Sequence, residues 1–186
     1  MKHDTLAFRK VWRVGANIDT DALAPGAYMK HGIEVIAAHC LEVHRPDFAT
    51  GVKPGDVLVA GPNFGIGSSR EQAADALKQL GIAAVIAPSY SGLFFRNAFN
   101  LGLLLLTCPD AETLQENETV QIDCEGTPQV KNAKGHILTC HAKGLTQHGV
   151  LVLGVDAISR YLSVLLANAV VDQNHGRSDD KKKQEK

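Results

Sequence analysis

Apolar positions along this chain alternate between short continuous runs and stretches with helical spacing. Residues 57–60 form one apolar run, residues 72–80 carry apolar positions at helical spacing, and residues 82–87 are again continuously apolar. Continuous apolar runs of this length are typical of strands that are buried on both faces of a parallel sheet. The pattern therefore predicts a strand–helix–strand unit over residues 57–87, in which Gly81 ends the helix.

The remaining segments predict further strands and helices on both sides of this unit. They are a strand at 7–18, helices at 33–42, 90–100 and 157–169, and strands at 103–107, 119–123, 129–132 and 136–139. The last three strands alternate and are separated by turn residues, which predicts a β-rich later part. We expect residues 1–172 to form a single mixed α/β domain. Residues 173–186 have almost no apolar content and are expected to be a polar, disordered tail.

Composition and charge narrow the classes of partner. The chain has 186 residues, of which 45% are hydrophobic and 21% are charged, as in an ordinary soluble globular protein. Its formal net charge of −1 gives no electrostatic reason to expect nucleic acid or an acidic membrane as a partner. No apolar run is long enough to span a bilayer or to serve as a signal peptide, so a cytoplasmic location is expected.

The four cysteines and eight histidines lack metal-binding spacing. No CxxC pair exists, which argues against a zinc ribbon or an iron–sulfur site held by this chain alone. A disulfide framework is not expected without a secretion signal, so the cysteines are interpreted as small, partly buried hydrophobic residues. Surface or hydrogen-bonded core roles are expected for the histidines, with His31 as the one candidate for a place near a substrate.

Candidate chemistry concentrates in residues 61–71, Gly-Pro-Asn-Phe-Gly-Ile-Gly-Ser-Ser-Arg-Glu, between a predicted strand and a predicted helix. The glycines permit positive φ and a close approach to a ligand. Ser68 and Ser69 lie where helix-capping residues belong, and Arg70 adds a planar set of donors that matches a carboxylate. The segment therefore predicts a small-anion site that carries two hydroxyls at the start of a helix.

A purely structural alternative is a glycine turn whose serines cap the helix, with Glu71 completing a capping box. It accounts for part of Ser69 and Glu71. It leaves Gly65, Gly67 and Arg70 without a purpose, because a cation at a helix start opposes the helix dipole. Nucleotide-binding motifs fail here: no lysine follows the last glycine, as a P-loop requires, and Arg70 stands where the dinucleotide fingerprint has its third glycine.

Three blocks of the chain together resemble one protein family. They are the Gly/Ser segment at 61–71, Asn-Ile-Asp-Thr-Asp-Ala-Leu at 17–23, and Gly-Ile-Ala-Ala-Val-Ile-Ala-Pro-Ser-Tyr at 81–90, which continues through Phe-Phe-Arg-Asn-Ala-Phe-Asn-Leu-Gly-Leu at 94–103. In order and spacing they are similar to the small subunit of isopropylmalate dehydratase, which resembles the C-terminal swivelling domain of aconitase. The resemblance covers about residues 8–170. It implies a three-layer β/β/α swivelling domain of aconitase type with a mixed sheet.

The resemblance also implies a reaction. Enzymes of this family are hydro-lyases that move a hydroxyl between adjacent carbons of a malate-type acid through an alkene, here 3-isopropylmalate and 2-isopropylmalate in leucine biosynthesis. Their 4Fe-4S cluster is held by cysteines of a large subunit, and its open iron binds the substrate hydroxyl and a carboxylate. The chain is therefore expected to bind no metal alone, and to work with a cluster-bearing large subunit on a hydroxy di- or tricarboxylate.

Roles follow by correspondence with the family. Ser68 would be the catalytic base that takes a proton from carbon, stabilised as an alkoxide by the helix-start N–H groups and Arg70. Gly67 would be a substrate-binding residue. Ser69 and Arg70 would bind a carboxylate, and Asp21 would face the same cleft as a substrate-binding residue. Asp19 is interpreted as part of an Asx turn.

Two departures from the family pattern bear on the substrate. Ile66 stands where many relatives have cysteine, at a position whose side chain need not take part in the chemistry. Gly26 and Ala27 stand where many relatives have an arginine before Tyr28, in the loop that contacts the variable part of the substrate. Lys30 is a candidate substrate-binding replacement for that cation, or else a solvated loop lysine.

The missing guanidinium leaves the substrate open between 3-isopropylmalate and a methylmalate, a dimethylmalate or a homoaconitate-type acid. A non-catalytic anion-binding module is a further alternative. Arg96, in the third block, is expected to lock the structure or the subunit interface and not to touch substrate.

Overall fold

The computed structural model describes residues 8–124 and 127–142. Its strands are β1 (Arg9–Arg13), β2 (Val57–Val59), β3 (Ala84–Ala87), β4 (Leu104–Thr107), β5 (Thr119–Asp123), β6 (Gln129–Asn132) and β7 (Ile137–Thr139). Its α-helices are α1 (Thr20–Leu23), α2 (Ile33–Ala38), α3 (Phe48–Gly51), α4 (Glu71–Gln79) and α5 (Gly92–Leu101), with 3-10 turns at Gly26–Tyr28 and Ala111–Thr113. The predicted helix at 157–169, the boundary at 172 and the polar tail lie outside the described residues.

The strands form one mixed sheet in the order β4-β3-β2-β1-β5-β6-β7. Strands β1 to β4 are parallel to one another, and β1 pairs antiparallel with β5, after which β6 and β7 continue as hairpins. The predicted strand–helix–strand unit is confirmed, because β2 and β3 pair in parallel on either side of α4. Gly81 has φ +82° directly after that helix and ends it, as expected.

Burial divides the molecule into three layers. On one face of the parallel strands, Trp12, Leu58 and Val85 join a core with the helices. On the other face, alternate residues such as Val11 and Val57 join a second core with the apolar side chains of β5, β6 and β7. The antiparallel half of the sheet thus curls over the parallel half, which gives the β/β/α arrangement that the sequence resemblance implies.

The two ends of the curled sheet meet. Thr107, at the end of β4, exchanges two backbone hydrogen bonds of 2.8 Å with His141 beyond β7. Beside this pair, Cys108 and Cys140 form a disulfide with their Cα atoms 4.4 Å apart. The expectation that the cysteines are unpaired hydrophobic residues is therefore wrong for these two, because the fold brings together residues that are 32 positions apart. It holds for Cys40, which is free and fully buried.

Of the helices in the described part of the chain, none is both long and apolar enough to cross a membrane.

Candidate active site

Three loops lie side by side at the carboxyl ends of β1, β2 and β3. The first begins at Val14, the second is the Gly/Ser loop at residues 61–70, and the third runs from residue 88 to 91. Main-chain hydrogen bonds join the first two loops at Gly61, Gly65 and Thr20, whose amides donate to carbonyls of the other loop at 2.7–3.1 Å. The second and third are joined through Phe64, which pairs with residues 89 and 91. Carboxyl ends of parallel strands are where α/β folds place ligands.

The first loop shortens the predicted strand. The sequence predicts extended structure over 7–18, whereas β1 ends at Arg13. Asn17 takes φ +57°, which turns the chain out of the sheet, and Asn63 takes φ +62° in the facing loop. The side-chain Nδ2 of Asn63 donates to Oδ1 of Asn17 at 3.0 Å. Asparagine tolerates this left-handed conformation better than most residues. Each of the two loops therefore turns at an asparagine, and the two asparagine side chains are hydrogen-bonded to each other.

Two glycines of the Gly/Ser loop are required by geometry. Gly65 has φ +76°, and a Cβ there would lie 2.3 Å from the ring of Phe94. Gly67 has φ +99°, and a Cβ there would lie 3.3 Å from the Thr20 hydroxyl oxygen. The predicted close approach at Gly65 is therefore to the core of the protein itself, while Gly67 is exposed.

The capping role predicted for the serines is wrong. Helix α4 begins at Glu71 with Arg70 at its N-cap, and no side chain caps it. The Arg70 amide instead donates to the Ser68 carbonyl at 2.8 Å, and both serines precede the first helical residue, Glu71. Ser68 and Ser69 are exposed, and within residues 8–124 and 127–142 their hydroxyls make no hydrogen bond. Their side chains are thus free to meet a ligand.

Arg70 joins the Gly/Ser loop to helix α1. Its Nη1 donates to Oδ1 of Asp21 and, at 2.9 Å, to the carbonyl oxygen of Ala24. The pair lies at the surface: the Arg70 side chain is 25% exposed and that of Asp21 is 63% exposed. The hydrogen bond from Arg70 lowers the pKa of Asp21 below its ordinary value. Arg70 is therefore paired, and part of its side chain stays exposed.

The neighbouring acidic residue has the structural role expected of it. Asp19 is the N-cap of α1, and its side chain accepts a hydrogen bond from the Ala22 amide at 2.7 Å. The resemblance predicts that Thr20 faces the cleft together with Asp21. In the structure Thr20 is 3% exposed, and its hydroxyl donates to the Ser68 carbonyl at 3.0 Å. Only the tertiary structure shows that this threonine fixes the backbone of the candidate base.

The segment after α1 brings Gly26 next to Asp21 and Arg70. A Cβ on Gly26 would lie 3.4 Å from Oδ1 of Asp21 and 3.8 Å from Nη2 of Arg70. Lys30 and His31, a few residues further on, are both exposed. Neither makes an ion pair within the residues that the structure describes, so Lys30 is free to turn toward a ligand.

The ring of Tyr28 is held in place by a neighbouring side chain, which the sequence did not indicate. Its ring stacks on His39 with ring centroids 3.7 Å apart and planes inclined by 9°. Nδ1 of His39 in turn lies 2.6 Å from a carboxylate oxygen of Glu42. This stack fixes the loop that carries Lys30 against the end of α2.

Arg96 lies exposed on α5, and in the described part of the chain it makes no ion pair. The expectation that it locks the fold is therefore not met, and an interface role stays a prediction. Across residues 8–124 and 127–142, no three histidine, cysteine or acidic side chains come together in a group that could hold a metal ion.

Comparison with known proteins adds a family context to this geometry. Residues 23–111 match the aconitase C-terminal domain. The 3-isopropylmalate dehydratase small subunit 1 of Archaeoglobus fulgidus is 45% identical over 127 residues, which are 68% of this chain and 79% of that protein. The methanogen homoaconitase small subunit of Methanothermobacter thermautotrophicus is 45% identical over 125 residues, 66% of this chain and 71% of that one.

The fold is also similar to that of a solved structure. The crystal structure of a 3-isopropylmalate dehydratase from Methanocaldococcus jannaschii superimposes with a TM-score of 0.73 at 32% identity, over 87% of this chain and 98% of that one. This likeness confirms the aconitase-type swivelling domain that the sequence motifs predict.

Proposed function

This chain belongs to the aconitase-type family of 3-isopropylmalate dehydratase small subunits, and from that premise we propose that it is one half of a two-subunit hydro-lyase. Its substrate would be 3-isopropylmalate, which the complex would convert into 2-isopropylmalate in leucine biosynthesis. The observation that carries the proposal is the convergence of two free serine hydroxyls and a guanidinium at the carboxyl edge of the parallel strands.

Proton removal is the step that this chain is suited to perform. A hydrogen on carbon beside a carboxylate is weakly acidic, so its removal needs a positioned base and stabilisation of the developing charge. The Ser68 hydroxyl would first release its own proton to solvent, and its alkoxide Oγ would then receive the proton from carbon. That alkoxide must itself be strongly stabilised. The amides of Ser68, Ser69 and Glu71 donate to no backbone carbonyl of the described residues, and with the helix dipole they are available to stabilise an anion.

Substrate binding would fall to the neighbouring side chains. Arg70 would bind a carboxylate through paired N–H donors, with the Ser69 hydroxyl as a further donor. Gly67, which has no side chain and a positive φ, would let the substrate approach the backbone. Lys30 would face the variable part of the substrate from the rim.

The other half of the site would come from a large subunit. In this proposal that partner holds the 4Fe-4S cluster, which supplies Lewis-acid chemistry at the substrate hydroxyl. The exposed edge of the three loops is the surface of this chain from which substrate can be shared with a partner. Ser68 and Arg70 would thus be productive only in the assembled complex.

The test is turnover by the co-purified complex of this chain with its large subunit. Ser68→Ala should abolish turnover of 3-isopropylmalate and leave subunit association unchanged. Thr139→Ala is the matched control, because it removes the hydroxyl of an exposed residue on β7, in the antiparallel half of the sheet, and this variant should keep full activity. Unchanged turnover in the Ser68→Ala complex would refute the assignment of the base.

A homoaconitase-type substrate is the second candidate. One relative of that name is as similar to this chain as a 3-isopropylmalate dehydratase subunit is. The rim residues Gly26 and Lys30 are where the two substrates would be distinguished. Comparing kcat/KM of the same complex for 3-isopropylmalate, methylmalate, dimethylmalate and homoaconitate would decide between them, and turnover of none would favour a non-catalytic anion-binding module.

A further inference from the structure

Among the residues that the structure describes, the guanidinium of Arg70 bonds through one nitrogen, Nη1. Nη1 donates both of its hydrogens, one to Asp21 and one to the Ala24 carbonyl. The Nε–H and the two hydrogens of Nη2 have no acceptor in the described part of the chain. Nε and Nη2 together form the edge with which arginine binds a carboxylate through two parallel hydrogen bonds.

We infer that Asp21 is a positioning residue, which together with the Ala24 carbonyl holds Nη1 of Arg70 and leaves the Nε–Nη2 edge for a substrate carboxylate. The inference rests on the proposed function and assigns Asp21 a role different from the substrate contact predicted by correspondence with the family. Asp21 is itself held in place, because its Oδ1 also accepts the Gly26 amide at 3.1 Å.

Charge supports this division of roles. A carboxylate attracts a guanidinium and repels a second carboxylate, so Asp21 is poorly suited to bind an organic acid directly. Arg70 stands at the N-cap of α4, where the helix dipole disfavours a cation. Asp21 offsets that cost and fixes the side chain. A side chain held at one nitrogen loses less freedom when substrate arrives.

Enzyme kinetics on the reconstituted complex test the inference. Asp21→Ala should raise KM for 3-isopropylmalate about tenfold to hundredfold, because the guanidinium is no longer aligned. Asp21→Asn keeps an oxygen acceptor and should recover most of that loss. In an Arg70→Gln background, Asp21→Ala should have no further effect on KM, since the residue through which it acts is gone.

Equal losses in Asp21→Asn and Asp21→Ala, additive with Arg70→Gln, would overturn the inference, because Asp21 would then contact substrate itself. Asp19→Ala is the matched control: it removes the same charge two residues away and the cap of α1, and it should lower stability without changing KM.

A second measurement separates this inference from the proposed function. In the isolated subunit, the pKa of the Asp21 carboxyl, followed by NMR, should be lower in the wild type than in Arg70→Gln. An unchanged pKa would overturn the inference whether or not the complex turns over. Absence of turnover in the wild-type complex, with the pKa difference present, would refute the proposed function alone.

Discussion

Replacing Gly65 by alanine should damage the site through packing and not through chemistry. The new methyl group would lie 2.3 Å from Cγ and 2.4 Å from Cβ of Phe94. Phe94 is 1% exposed, and its ring packs edge-on against that of Phe64 with centroids 5.2 Å apart, so it has little room to move. Overpacking a well-packed core costs about 1–3 kcal/mol.

The backbone adds a second penalty. Gly65 has φ +76°, a left-handed conformation that costs a residue with a Cβ about 1–2 kcal/mol. The two penalties together predict a loss of about 2–5 kcal/mol in the free energy of unfolding. Small domains have about 5–15 kcal/mol in total, so this loss is severe. The loop would also move away from the Ile18 carbonyl, which the Gly65 amide contacts at 2.7 Å.

Alanine variants of two other glycines are controls that separate the backbone penalty from the packing penalty. Gly135 has φ +83° with nothing within 4 Å of a Cβ, so Gly135→Ala measures the backbone penalty alone. Gly92, the first residue of α5, has open space and no positive φ, and its replacement by alanine should cost nothing. Urea unfolding followed by the fluorescence of Trp12, the only tryptophan, gives all three free energies. A Gly65→Ala cost no larger than that of Gly135→Ala would refute the reasoning.

Three further outcomes are expected. Tyr90→Phe should lower the free energy of unfolding by about 1–2 kcal/mol in urea titrations, because the buried hydroxyl lies 2.8 and 2.9 Å from two strand carbonyls; no loss would contradict this. Leu93 is 44% exposed beside the site loops, and Leu93→Asp should weaken binding of the large subunit in calorimetry. Ile137 is 50% exposed on β7, and Ile137→Asp should leave that binding unchanged. Equal effects of the two variants would argue against an interface at Leu93. The hydrogen bond from Arg70 lowers the pKa of Asp21 in the folded protein. The pair should therefore stabilise the fold fully at a pH above the ordinary pKa of aspartic acid, and this stabilisation should be lost as the pH falls through the lowered pKa. A pH-independent difference in stability between wild type and Arg70→Gln would contradict this.

The parts of the fold that local pattern determines could be predicted from the sequence. Continuous apolar runs around a helical pattern placed β2, α4 and β3 to within about two residues. The extent of β1 could not be predicted, because the chain beyond Arg13 pairs with another loop and turns at Asn17, which has positive φ. The absence of a serine cap on α4 could not be predicted either: the Thr20 hydroxyl and the Arg70 amide both donate to the Ser68 carbonyl, and Arg70 takes the N-cap position.

Long-range pairing was beyond the reach of sequence patterns. Arg70 and Asp21 are 49 residues apart, and each alone has ordinary local explanations. Cys108 and Cys140 come together only because the sheet curls until its ends meet. The residue types of the Gly/Ser loop predict an anion site, which stays a prediction, whereas the orientation of Arg70 could not be predicted from them.

The three site loops are joined to one another mainly by main-chain hydrogen bonds. A frame of this kind depends on backbone shape and hardly at all on the identity of the rim side chains. Mutations around Lys30 can therefore accumulate without loosening Ser68, the proposed base. Such a scaffold is well suited to divergence, in which a duplicated copy acquires a new acid as substrate through a few rim substitutions while the loops that hold the proposed base are inherited intact.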